Sequence, residues 1–127
     1  MQRRILIIDD EPGFTRLIKL TLEGTGKFLV REENNGLKAL QTAQEFKPDI
    51  IFLDIVMPQM DGGDVAKEIK TDPALRTVPV IFLTAIASKK EEEEGKHING
   101  YPFIAKPVSL ETIVNCVDTH LGNAAGG

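Results

Sequence analysis

The chain has 127 residues, 42% hydrophobic and 27% charged, with a formal net charge of −4 at pH 7. That length suits one domain with a buried core, and the acidic balance argues against a nucleic-acid surface, which is ordinarily basic. A lone cysteine, Cys116, excludes an internal disulfide and a paired-cysteine metal site, and the first apolar run, Ile5–Ile8, is too short for a signal peptide or a membrane span, so a cytoplasmic protein is the simplest reading.

From there on, short apolar runs alternate with helical spacing. Ile5–Ile8 reads as a first strand. Phe14, Leu17, Ile18, Thr21 and Leu22 share one face of a helix, with Pro12 suited to its first turn and Gly24 or Gly26 to its stop. Phe28–Val30 is a second strand, and the Glu32-Glu33-Asn34 that follows reads as solvated surface. Leu37, Leu40 and Ala43 mark a second helix that ends before Pro48. Ile50–Leu53 is a third strand, and Val65, Ala66, Ile69 and Lys70 mark a third helix opening after Gly62-Gly63. Val80–Leu83 is a fourth strand. The stretch Ser88 to His97 has almost no apolar stripe, so a helix there would be mostly exposed, with Glu91–Glu94 as a solvated face. Phe103–Ala105 is a fifth strand. Leu110, Ile113, Val114, Val117 and Leu121 give the clearest helical periodicity, with Ser109 as N-cap and Glu111 at the positive end of the dipole. Cys116 reads as a small helix side chain, and His97 and His120 as surface residues without a partner cluster. Residues 123–127 are small and read as a flexible tail outside a domain of 1–122.

Continuous rather than alternating apolar runs indicate strands covered on both faces, as in a parallel sheet. Strand–helix alternation then gives a doubly wound (βα)5 α/β domain with right-handed crossovers, whose site lies outside the carboxyl ends of the strands. Four strand ends carry distinctive polar groups: Asp9-Asp10-Glu11, Asp54, Thr84 and Lys106. Clustered carboxylates raise one another's pKa. A hard divalent cation relieves that repulsion, and a set made only of oxygen ligands selects Mg²⁺ or a similar ion. A carboxylate beside Mg²⁺, an ammonium and a hydroxyl is also equipped for phosphoryl transfer, because aspartate can form an acyl phosphate and the transferring group needs mainly positioning and charge neutralisation.

These residues, as Ile7-Ile8-Asp9-Asp10-Glu11-Pro12, Asp54-Ile-Val-Met-Pro-Gln-Met-Asp61-Gly62, Leu83-Thr84-Ala85 and Lys106-Pro107, resemble the receiver domain of two-component response regulators over about Arg3 to Leu121. The resemblance implies a flavodoxin-like five-stranded parallel sheet in the order 2-1-3-4-5. It implies Asp54 as phosphoacceptor and Mg²⁺ held by Asp10, Asp9, Asp54 and the backbone carbonyl of Val56. Thr84 and Lys106 would meet the phosphoryl group, and a cis bond would join Lys106 to Pro107. The domain would be a signalling phosphoacceptor that assists its own phosphorylation, switching through Thr84 and Phe103, where tyrosine is common in the family. Its partners would be a histidine kinase or histidine phosphotransfer protein and an output partner that the sequence does not name. The last helices are a candidate homodimer surface, and neither direct nucleic-acid contact nor a membrane is implied. Val56 and Ile86, each two places past a key residue and both apolar, imply slow autodephosphorylation.

Three rival readings stand beside this one. A haloacid-type phosphatase would need a second Asp two residues after the nucleophile, where this chain has Val56. An FMN binder of flavodoxin type would need a Ser/Thr/Gly-rich loop after the first strand, where this chain has Asp9-Asp10-Glu11. A pseudo-receiver that is never phosphorylated would not need the acidic set, Thr84 and Lys106 together.

Overall fold

The computed structural model describes residues 2–58, 60–85, 97–98 and 100–122. Six strands form one sheet: β1 (Arg3–Ile8), β2 (Phe28–Glu33), β3 (Ile50–Asp54), β4 (Val80–Thr84), β5 (His97–Ile98) and β6 (Tyr101–Ala105). The described helices are α1 (Pro12–Glu23), α2 (Ala39–Phe46), α3 (Gly62–Thr71) and α4 (Leu110–Leu121), and a 3-10 turn, Gly36–Lys38, leads into α2. The five long strands are all parallel, in the spatial order β2-β1-β3-β4-β6. That is the doubly wound topology the apolar runs imply.

Every residue of β3 and β4 is buried, as strands covered on both faces require. Side chains alternate between two cores. Leu6, Ile8, Ile51, Leu53 and Phe82 pack with Ala43, Phe46, Val65 and Ile69 of α2 and α3. Ile5, Ile7, Phe52, Ile81 and Leu83 pack with Ile18 and Leu22 of α1 and with Ile113 and Val117 of α4. Ser109 caps α4, accepting a hydrogen bond from the Thr112 amide. Arg3 donates to the carbonyls of Leu121 and Gly122 at 3.2 and 2.8 Å, tying the end of α4 to β1.

Three details depart from the sequence reading. The buried stripe of α1 is Thr15, Ile18 and Leu22, while Leu17 is 62% exposed. The helix lies on the sheet along one row of positions, and the wider apolar face assigned from spacing spills past it. The edge carries an additional strand, because His97–Ile98 pairs antiparallel with Tyr101-Pro102. The signal for it was the dipeptide Asn99-Gly100, a strong hairpin-turn signature, and Gly100 sits at φ 84°. Finally, α3 begins at Gly62, with Asp61 accepting from the Gly63 amide at 2.6 Å as N-cap. The expected exposed helix over 88–97, Ile86 and the tail 123–127 lie outside the described residues, apart from His97, which is in β5. No helix among the described residues is long and apolar enough to cross a membrane.

Candidate functional site

Strand register builds the site. Ile8 pairs with Leu53, so Asp9 and Asp54 follow at the same level on adjacent strands. Asp54 pairs with Leu83 and Thr84 with Ala105, which places Thr84 one step and Lys106 two steps farther along the same edge. The Lys106 amide donates to the Thr84 carbonyl at 2.8 Å and holds those two strand ends together. The Lys106–Pro107 bond is cis.

The sequence-predicted residues meet here. Asp9, Asp54 and Thr84 are buried. One carboxylate oxygen from each of Asp9, Asp10 and Asp54 lies within 4.8 Å of the others. The Lys106 ammonium stands 2.8 Å from Asp9 Oδ2, 3.4 Å from Glu11 Oε1 and 3.8 Å from Asp54 Oδ2. The Val56 amide donates to Asp54 Oδ1 at 3.2 Å, so the peptide after Ile55 borders the cluster. Phe103 is buried in the core on the α2 and α3 side, and Tyr101 packs edge-on against Phe82, with ring centroids 5.2 Å apart.

The electrostatics are those of a site lacking positive charge. Burial, reinforced by the Asp9 charge, pushes the Asp54 carboxyl up to about 6, against the opposing Val56 amide and Lys106 charge; a hydrogen bond with Asp10 also favours its protonated form. Burial pulls the Lys106 ammonium down, but the hydrogen bond and charge of Asp9, with Asp54 and Glu11 behind, outweigh it and hold the pKa above the ordinary lysine value. One ammonium faces several carboxylates. A hard divalent cation among three carboxylate oxygens is the direct remedy, and the donor set of oxygens alone fits Mg²⁺.

Several contributors escaped the sequence reading. The end of β2 is not solvated surface. Asn34 donates to the Asp9 carbonyl at 2.7 Å and to Thr15 Oγ1 at 2.9 Å. Thr15 in turn donates to Glu32, which pairs with Arg16 at 3.1 Å. Glu33 accepts from Thr42 and from the Asn35 amide. This network fixes the turn that carries Asp9. Its signal lay in the register, because Ile8 beside Glu33 puts Asn34 beside Asp9. Gly62 is the second. Its amide donates to the Ile55 carbonyl at 2.7 Å, and a Cβ there would run into the Asp54 carbonyl oxygen and stand 2.6 Å from Ile55 Cα. Phe14, beside Lys106, is the third; Glu11, already in the strand-end group that the sequence singles out, also reaches Lys106.

Comparison with known proteins agrees with this geometry. The response regulator receiver domain family matches residues 5–118. The polar-differentiation response regulator DivK of Brucella anthropi is 35% identical over 124 residues, covering 98% of this chain and all of that protein. Among solved structures, the chemotaxis protein CheY4 of Vibrio cholerae superposes with a TM-score of 0.80 at 26% identity, over 94% of this chain and 98% of that one. The receiver domain of the sensor histidine kinase PA1611 from Pseudomonas aeruginosa gives 0.80 at 26% identity, over 97% of this chain and all of that one, and has a magnesium ion coordinated in its active-site cleft.

Proposed function

This chain belongs to the response regulator receiver domain family of two-component signalling, and on that premise we propose that Asp54 is its phosphoacceptor. The observation that carries the assignment is the buried Asp54 carboxyl with Asp9 and Asp10 oxygens within 4.8 Å and the Lys106 ammonium at 3.8 Å. Asp54 attacks the phosphorus of a phosphohistidine. The new P–O bond forms as the P–N bond breaks, and the imidazole leaves with the electron pair. Asp9, Asp10, Asp54 and the Val56 carbonyl would hold Mg²⁺, which supplies charge neutralisation at the phosphoryl oxygens when bound. Lys106 pairs with one of those oxygens, and the Thr84 hydroxyl donates to another.

The donor is a histidine kinase or a histidine phosphotransfer protein. The domain spans 1–122, acts on itself rather than on a released substrate, and works in the cytoplasm. Phosphorylation adds roughly −1.5 to −2 charge at neutral pH, and we place the resulting switch at Thr84 and Phe103, with Phe103 leaving its buried position as Thr84 moves to the phosphoryl group. Autodephosphorylation is slow, because Val56, 60% exposed at the rim, has no polar atom in its side chain to orient a water. The exposed face of α4, with Glu111, Thr112, Asn115, Thr119 and His120, is polar and lends no support to a homodimer through that helix.

Beryllofluoride with Mg²⁺, a mimic of the phosphoryl group, tests the assignment. Titrated calorimetrically, it binds the wild type and fails to bind Asp54→Asn. Equal binding by the folded variant would refute Asp54 as the acceptor.

A further inference from the structure

Lys106 makes one contact that the transfer chemistry does not need: its ammonium lies 4.9 Å from the centroid of the Phe14 ring. Its other neighbours are weakly placed to hold it during the reaction. Asp9 Oδ2, at 2.8 Å, is the shortest contact, yet Asp9 belongs to the carboxylate trio that can hold a divalent cation. The other Asp9 oxygen already accepts from the Glu11 amide at 3.0 Å. A cation held by Asp9 would therefore compete with Lys106 and repel it. Asp54 Oδ2, at 3.8 Å, is beyond hydrogen-bond length. Glu11, at 3.4 Å, has a side chain 66% exposed, so solvent weakens its pull.

We propose that Phe14 is a positioning residue for Lys106: its ring face, with the Glu11 carboxylate, cradles the ammonium beside Asp54 once a divalent cation has claimed Asp9. The inference rests on Asp54 being the phosphoacceptor. The ring suits the task chemically. Its negative face attracts an ammonium, and it is no ligand for Mg²⁺, so it keeps hold of the lysine without drawing the metal. It is also anchored. The Phe14 amide donates to the Glu11 carbonyl at 3.1 Å in the first turn of α1, and the side chain packs half-buried against the α1 and α4 core.

The test is the rate of phosphorylation by acetyl phosphate with Mg²⁺ in wild type, Phe14→Leu, Phe14→Trp, Lys106→Met and the Phe14→Leu/Lys106→Met pair. Leucine keeps the apolar bulk and removes the quadrupole, so Phe14→Leu slows phosphorylation roughly three- to tenfold, the worth of a partly desolvated cation–π contact, with Mg²⁺ affinity changed less than about twofold. Phe14→Trp restores the rate. In the Lys106→Met background, Phe14→Leu has no further effect. An equal loss with and without Lys106, or no rescue by Trp, would show that Phe14 merely packs and would overturn the inference. A folded wild type that takes up no phosphoryl group at all would instead overturn the assignment of Asp54.

Discussion

Asp54→Asn stabilises the metal-free protein at about pH 7 by about 3 kcal/mol, and the gain vanishes near pH 4. The cause is the buried acidic cluster. Burial and the Asp9 charge raise the Asp54 carboxyl from 3.8 to about 6. A carboxyl whose folded pKa is raised binds protons better folded than unfolded. Its contribution is therefore fully present below the unfolded value of 3.8 and is lost as pH rises through about 6. About two pKa units correspond to about 3 kcal/mol, and the side chain is only 8% exposed, so solvent screening leaves most of it intact. Asparagine has no proton to lose and escapes the penalty. For a domain of this size the difference is about 10–20 °C in Tm. Thermal melts of both proteins in chelator at about pH 4 and pH 7 measure it. Saturating Mg²⁺ narrows the gap, because the cation stabilises wild type in proportion to its affinity and binds the variant more weakly. Equal melting temperatures at pH 7 without metal would mean that Asp54 is not strained by its neighbours.

Gly62→Ala has the second large effect, a loss of about 2–3 kcal/mol from overpacking and at least about tenfold in phosphorylation rate from displacement of the acceptor. The added methyl would meet backbone, namely the Asp54 carbonyl and Ile55 Cα, rather than the yielding end of a side chain. Relief requires moving either α3 or the end of β3 that carries Asp54. Gly13→Ala is the control, since a Cβ there meets nothing within 4 Å; it should be neutral or stabilising by up to about 1 kcal/mol. Urea unfolding, with phosphorylation measured in parallel, distinguishes the two positions. If Gly62→Ala behaved like Gly13→Ala, the close approach of the α3 N-terminus to the acceptor strand would have no functional weight.

The order of the long strands and of the described helices was legible because each long strand contains a short apolar run, a pattern that survives without any tertiary knowledge. The principal site residues were legible for a related reason. Asp9, Asp10, Asp54, Thr84 and Lys106 each stand at or just past the carboxyl end of a strand, and parallel strands bring such ends to one edge. What was hidden depends on distance across the fold rather than on order along the chain. Asn34 touches Asp9 only because β1 and β2 pair in one particular register. Phe14 reaches Lys106 only because the start of α1 lies beside the end of β6. Leu17 was misplaced because periodicity gives a helix's apolar face but not how much of that face the sheet covers. The short β5 was missed although Asn99-Gly100 announced a turn, because polar flanking residues drew the reading toward an exposed helix.

Phosphorylation mapped to a residue tests the central claim most directly. The protein is incubated with acetyl phosphate and Mg²⁺, the acyl phosphate is trapped by borohydride reduction, and the digest is read by mass spectrometry. A single modification at Asp54, absent when the metal is chelated, is the predicted result. Phosphorylation found on another residue, with Asp54 unmodified in a folded protein, would contradict the account.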